Sequence, residues 1–220
     1  MHALFERTNL FGLQFGKYQA FVNVPNLESL SEKYNNEYVN RSYKHLVVQI
    51  KEMGKNILYG PNCNCEDVPY YILYCTSEIG TSSPVICGKC GNDIPLYKVS
   101  YLFTDEEHFT LINYQKTYAS VHELYMQSLS DRFTKNQLLK PNSSLNKRAF
   151  KIREELENKI KKPVYLSLSR VFFDHKNDYK KIDSDKCPKC GKNLEECEYQ
   201  FDSVKIFKCD DCRLITDKLN

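Results

Sequence analysis

The chain has no tryptophan, so no indole can anchor an interface or stack on a base. It has no apolar run near the ~20 residues that cross a bilayer, and no membrane partner is expected. The start, Met1-His2-Ala3-Leu4-Phe5-Glu6-Arg7, lacks the basic stretch and following apolar run of a secretory signal. A cytoplasmic, reducing location is therefore expected, and disulfides are rare in such compartments. No nucleophile elbow, glycine-rich phosphate loop or H-E-x-x-H helix occurs. Nothing points to a small-molecule substrate, and the chain reads as a non-enzyme. Low-complexity tracts and repeat arrays are absent too, apart from one short motif that appears twice.

That motif is made of cysteine, of which there are ten. Cys187-Pro188-Lys189-Cys190-Gly191 precedes Cys209-Asp210-Asp211-Cys212, with 18 residues between Cys190 and Cys209. Two C-x2-C pairs so spaced read as a zinc ribbon. Zn²⁺ takes four thiolates tetrahedrally, and each C-x2-C turn folds two sulfurs onto one side of a tight knuckle. The glycine after the second cysteine permits a positive φ where a Cβ would clash. The intervening chain can return as a β-hairpin, so that the two knuckles face each other. Iron fits the same knuckles, and spacing does not separate the two metals.

Cys87-Gly88-Lys89-Cys90-Gly91 repeats the knuckle, and Cys63-Asn64-Cys65 lies upstream, with 21 residues between Cys65 and Cys87. One intervening residue makes it harder for both sulfurs of a C-x-C pair to face one metal. Cys63, Cys65, Cys87 and Cys90 are nevertheless the favoured second quartet, giving two Zn²⁺ per chain. Cys75 lies in the strand-like run Tyr70–Cys75 and competes as a ligand with a role as a small core residue. Cys197 reads as a bystander. A four-thiolate zinc site carries a net charge of about −2, so two of them outweigh the formal +3. Any nucleic-acid surface must then be a local patch.

The fold class expected is α+β. Residues 1–173 would form a domain of mixed α and β elements with an embedded four-cysteine zinc module at about 58–103. Residues 174–186 are polar and charged and read as a linker, and 187–220 as the C-terminal ribbon. Alternation in two phases from Asn9 to Val24 predicts strands with a turn near Gly16-Lys17. Asn26 can cap a short helix. Val39, Tyr43, Leu46, Val47, Ile50 and Met53 mark one stripe of a helix from Asn36 to Met53, stopped at Gly54. Strands are expected at Tyr70–Cys75, Pro84–Ile86 and Leu96–Leu102. Thr104 with Glu107 would cap a helix whose apolar face is Leu111, Tyr114, Tyr118, Val121, Leu124 and Tyr125. His122 among them reads as a structural hydrogen-bonding residue. A helix from about Leu145 to Lys161, ended by Pro163, and a strand over Val164–Phe173 complete the expectation.

These residues resemble a bacterial domain-of-unknown-function family described as zinc-ribbon-containing and suggested to bind nucleic acid. The resemblance runs from about Asn26 to the end of the chain. It rests on Lys33–Val39, Tyr71–Tyr74, Ser83–Cys90, Ile94–Tyr97, Pro163–Tyr165 with the strand after it, and Phe207–Leu214. It implies that Cys63, Cys65, Cys87 and Cys90 are a family feature. The family ribbon usually carries a second glycine and a tryptophan after its first knuckle, where this chain has Lys192-Asn193-Leu194.

Two roles follow. Lys189, Lys192, Lys205, Lys208 and Arg213, interleaved with Tyr199, Phe201 and Phe207, could meet phosphates and stack bases. Glu195, Glu196, Glu198, Asp202, Asp210 and Asp211 dilute that positive field, and the aromatics could instead pack on the knuckles. A second basic group, Lys147, Arg148 and Lys151, falls on the predicted third helix. The alternative is a protein partner, as for a toxin-neutralising immunity protein or an adaptor, with tyrosines as anchors.

Overall fold

The computed structural model describes residues 11–14, 17–20, 24–52, 54, 61–75, 83–103, 108–168, 185–197 and 205–218. The fold is α+β, with helices and a mixed sheet. An antiparallel hairpin, β1 (Phe11–Gln14) and β2 (Lys17–Ala20), comes first. The turn expected at Gly16-Lys17 falls partly outside the described residues. Asn26 caps a short 3-10 helix, Leu27–Leu30, by accepting from the Ser29 N–H. This segment is held down by Tyr97, whose hydroxyl accepts from Asn26 at 2.9 Å and whose ring meets Tyr34 edge-on.

Helix α1 spans Glu37–Tyr43, with the Asn36 side chain accepting from Val39 N–H. It is far shorter than the helix predicted to Met53. Among the described residues of the predicted stripe only Val39 is buried, while Leu46, Val47 and Ile50 are exposed, and Met53 lies outside the described residues. Helix hydrogen bonds alone stabilise a short segment poorly, and covering an apolar face supplies most of the rest. The β-branched Val47, Val48 and Ile50 are also weak helix formers. With no cover from the described residues, the helix ends at its second turn.

A six-stranded sheet organises the remainder. Its strands are β3 (Tyr71–Leu73), β4 (Val85–Cys87), β5 (Val164–Ser167), β6 (Glu195–Glu196), β7 (Lys205–Cys209) and β8 (Leu214–Lys218). The spatial order is β4-β3-β5-β8-β7-β6. Strands β3, β5 and β8 run parallel, and the other neighbours are antiparallel. Thus β8, which follows the last cysteine pair, continues the sheet through Leu166↔Leu214. Residues 174–184 of the expected linker lie outside the described residues.

Alternation along each strand splits the core in two, since successive side chains face opposite sides of a sheet. Leu73, Val85, Cys87, Val164, Leu166 and Leu214 face the helices. Ile72, Ile86, Tyr165, Ile206 and Ile215 form a smaller cluster, with Cys197 against it. Strand β5 is buried on both faces, as a central parallel strand should be.

The helical layer comprises α2 (Phe109–Met126), α3 (Asp131–Leu139) and α4 (Ser144–Ile160). Helix α2 buries Leu111, Tyr114, Tyr118 and Tyr125 as expected, but Leu124 is exposed. His122 is buried and stacked on Tyr118. The capping box expected at 104–107 lies outside the described residues. The helix itself starts after His108, whose left-handed backbone (φ 57°) cannot belong to it. Helix α3 lies outside the sequence expectation, because its nine residues bury only Thr134 and Leu138, too short an apolar stripe to stand out. Buried Asn146 of α4 donates to the carbonyls of Gln137, Leu138 and Lys140, satisfying the open end of α3. Ser143 caps α4 through the Asn146 N–H.

The strand expected at Leu96–Leu102 is instead a 3-10 turn, Leu96–Lys98, entered from Pro95. Its apolar residues Leu96, Tyr97, Val99 and Leu102 are still buried. Burial here comes from a turning chain, so the hydrophobic content was legible while the conformation was not. For β5, described residues 164–167 are strand and the predicted continuation to Phe173 lies mostly outside them.

Candidate metal centres

The two C-x2-C knuckles that precede glycine have the same local structure. Cys87 N–H donates to Asn92 O at 2.9 Å, and Cys187 N–H donates to Lys192 O at 2.8 Å. Gly91 N–H returns to Cys87 O at 2.8 Å, and Gly191 N–H to Cys187 O at 2.9 Å. Gly91 and Gly191 have φ of 72° and 73°, the left-handed region the sequence assigned to them. In the first knuckle the Cys87 sulfur also accepts from Lys89 N–H at 3.4 Å.

The C-x-C pair solves its spacing problem in a related way. The Cys63 sulfur accepts from Cys65 N–H at 3.4 Å, the same i to i+2 contact that Cys87 makes. Cys63 N–H is anchored to Asp93 O at 2.8 Å, just beyond the opposing knuckle. The chain therefore wraps around the first sulfur and brings the second alongside it.

The result is two groups of four. The sulfurs of Cys63, Cys65, Cys87 and Cys90 all lie within 4.8 Å of one another, and so do those of Cys187, Cys190, Cys209 and Cys212. Four thiolates at ~2.3 Å from a shared metal fit that spacing, so either cluster could hold a metal ion. Cys75 and Cys197 belong to neither group. Cys75 is sealed in the main core, where burial pushes its thiol far up, and Cys197 packs in the smaller core.

The clusters differ in cover. Cys63 and Cys87 are buried and Cys65 and Cys90 half-buried, whereas Cys190 is exposed beside buried Cys187 and Cys209. Burial drives the thiols of Cys63, Cys209 and Cys212 upward. The Cys190 thiol goes down to about 7, mainly because the Lys192 N–H donates to it. Bound metal requires deprotonated sulfurs, so loading either cluster expels protons.

Both clusters sit at the amino ends of the parallel strands. Tyr71, the first residue of β3, pairs with Cys87, and Leu214, the first of β8, pairs with Cys209. The turn from α4 into β5 lies between them and is tied to both. Lys162 meets Asp67 and donates to Val68 O near the first cluster. On the other side Arg213 reaches Glu157 at 3.4 Å. Tyr165 of β5 donates to Asp210, inside the second C-x2-C pair. Asp210 is held below the usual carboxylate range by that hydrogen bond first, with Lys208 adding to it. The Tyr70 ring meets Tyr165 edge-on at 5.3 Å, and Gly88 leaves the room that Tyr70 fills. This network was invisible in the sequence, because Asp210 and Tyr165 are 45 residues apart with no local pattern linking them.

The five basic residues expected to meet phosphate are all engaged. Lys192 pairs with Asp211, Lys205 with Glu196 at 2.9 Å, and Lys208 with Asp210 at 3.1 Å. Arg213 pairs with Glu157, and Lys189 sits 4.0 Å over the Phe150 ring. Of the interleaved aromatics, Phe207 is half-buried, and Tyr199 and Phe201 lie outside the described residues. An open cleft of about 580 Å³ is lined by Glu32, Lys33, Asn40, Tyr43 and Lys44 and includes none of the clustered cysteines. Among the described residues no helix is long and apolar enough to cross a membrane.

Residues 65–169 match the profile of a family described as a domain of unknown function, DUF2310. The match covers just under half of the chain. It includes Cys65, Cys87 and Cys90 and stops short of the C-terminal cluster. No curated protein and no solved structure matches the chain significantly.

Proposed function

We propose that this is a non-catalytic protein carrying two structural Zn²⁺ ions, and that it acts by binding another protein. The observation that supports the zinc reading is the pair of closed, all-cysteine quartets. A catalytic zinc keeps one position for water, whereas four thiolates fill the tetrahedron. The residues present fit the metal, with four soft donors at each centre and backbone N–H groups directed at Cys63 and Cys87. In this reading the zincs fix the amino ends of β3 and β8 and so hold the turn from α4 to β5 between them.

The protein-partner reading draws support from the surface. Neutralised lysines make a poor phosphate track, because phosphate binding gains its strength from free positive charge and counterion release. Exposed Leu124, Met126, Leu129 and Phe133 gather within ten residues around the corner between α2 and α3. Exposed apolar groupings of that kind suit protein recognition.

Elemental analysis of purified, colourless protein should find two zinc per chain. One zinc would remove the N-terminal centre, and a red iron protein would overturn the metal. Binding to single-stranded RNA and DNA across a salt series should be weak throughout. The double variant Lys205→Glu, Lys208→Glu should not change it. Tight binding with a steep salt slope that flattens in that variant would return the ribbon to a nucleic-acid role.

A further inference from the structure

We propose that the C-terminal cluster is an oxidative modification site, in which hydrogen peroxide converts Cys190 and Cys209 to a disulfide and releases the metal. The inference rests on the reading that both clusters hold zinc, and goes beyond it by giving the two centres different fates.

The argument begins with cover. A metal-bound thiolate is oxidised only if the oxidant reaches sulfur, and susceptibility follows thiolate character and exposure. Of the eight clustered cysteines, Cys190 alone is exposed. Its neighbours Lys189, Gly191 and Lys192 are exposed as well. The corresponding Cys90 is half-buried and packs against the main core, where Cys63 and Cys87 are themselves buried.

A resolving partner is already in place. The Cys209 sulfur lies 3.7 Å from that of Cys190, while a disulfide needs about 2.05 Å. A shift of under two ångströms across a surface turn would close that gap. Cys209 is buried, so peroxide should reach Cys190 first and Cys209 should act second.

The chemistry balances. The Cys190 sulfur attacks one peroxide oxygen, the O–O bond breaks, and hydroxide leaves to be protonated to water. The resulting sulfenic acid is attacked by the Cys209 sulfur. The S–S bond forms, the S–O bond breaks, and a second hydroxide leaves as water. Two thiolates lose two electrons and the peroxide gains them. Two of four ligands are then gone, and tetrahedral Zn²⁺ cannot be retained. A dithiol reductant would reverse the step and restore the site.

The test uses the intact zinc-loaded chain, with the N-terminal cluster as internal control. Hydrogen peroxide is added, released zinc is followed with a colorimetric chelator, and samples are acid-quenched, denatured, alkylated and mapped by mass spectrometry. The expected result is release of one zinc per chain at least ten-fold faster than the second. A Cys190–Cys209 crosslink should appear with it, with Cys63, Cys65, Cys87 and Cys90 all alkylated. Dithiothreitol and added zinc should restore two zinc per chain. A Cys75→Ala, Cys197→Ala double variant keeps both clusters and should release zinc at the same rate, whereas lost release would assign the chemistry to a bystander and overturn the proposal. Starting protein with fewer than two zinc overturns the parent reading and this one with it. Protein that starts with two and loses both together, or loses the N-terminal one first, overturns this inference alone.

Discussion

The two cysteine clusters share a knuckle and differ in what surrounds it. The first is embedded: Cys63 and Cys87 belong to the main core, and Cys65 and Cys90 pack against it. In the second, Cys212 alone packs against that core, and Cys190 faces solvent. The local fold of a knuckle is thus set by a few residues, while its dependence on the rest of the protein is set by the chain outside it. For the first cluster the surroundings are the sheet and helices themselves. For the second they are the β5–β8 pairing, the smaller apolar cluster that Ile206 and Ile215 share with Ile72, Ile86 and Tyr165, the insertion of Leu214 into the main core, and a polar network through Tyr165, Asp210, Arg213 and Glu157.

The largest expected effect is a ligand change that separates the clusters. Structural zinc in small domains contributes on the order of 10 kcal/mol, comparable to the whole stability of a domain. Cys87→Ser should leave no folded chain, seen as loss of helical circular dichroism. Cys209→Ser should lose one zinc and the ribbon hairpin yet keep most of the helical signal. Equal collapse in both would abolish the contrast between an embedded and an appended centre. A smaller effect should come from Leu214→Ala, which touches no ligand. Leu214 is fully buried and joins the main core from the C-terminal side, so its loss should cost about 2–5 kcal/mol. If the sheet is one cooperative unit, urea unfolding should show a single transition at lower midpoint, with two zinc retained. A second transition would mean that the C-terminal segment unfolds by itself.

Much of this arrangement was readable, for a physical reason. Cysteine spacing encodes geometry directly, so the eight clustered residues and the positive φ of Gly91 and Gly191 could be stated from the sequence. The faces of α2 and α4 were legible because each is covered by a continuous core. What failed was periodicity without cover. Leu46, Val47 and Ile50 have helical spacing but stay exposed, with no cover among the described residues, and Leu96, Tyr97, Val99 and Leu102 are buried without forming a strand. The join between β5 and β8 was illegible because it pairs segments some 48 residues apart. The pairing of Lys192, Lys205 and Lys208 with Asp211, Glu196 and Asp210 was hidden likewise, since acids close in sequence read only as dilution of charge, and Glu157, the partner of Arg213, lies 56 residues away.

Glycine substitutions sharpen the comparison at smaller scale. A Cβ on Gly88 would lie 2.1 Å from the Tyr70 ring, which is wedged toward Tyr165. Gly88→Ala should cost about 1–3 kcal/mol as overpacking. A Cβ on Gly191 meets nothing within 4 Å, so Gly191→Ala carries only the backbone strain of φ +73°, about 1–2 kcal/mol. Thermal denaturation should rank Gly88→Ala as the more damaging. The reverse order would mean that the embedded knuckle yields more easily than its packing suggests.

The smallest effect concerns Asp210, and its sign depends on pH. Tyr165 and Lys208 hold this carboxyl below the ordinary range, near 3.9 for an unperturbed aspartate. A group whose folded pKa is lowered binds fewer protons in the folded state than in the unfolded one. Its contribution is therefore complete above the unfolded pKa and fades as pH falls through the folded pKa. Asp210 has a side chain nearly half exposed, so solvent screening should keep the contribution below about 1 kcal/mol. Asp210→Asn should thus be slightly less stable than wild type at pH 7, and the gap should narrow as pH falls below about 4. Because Asp210 bridges the C-terminal cluster to β5, the variant should also release its second-cluster zinc faster to a chelator at pH 7 while the first cluster is unaffected. A stability gap that stays constant with pH would show that the Tyr165 contact does not depend on the Asp210 charge. An equal acceleration at both clusters would show that the network does not serve the C-terminal site alone.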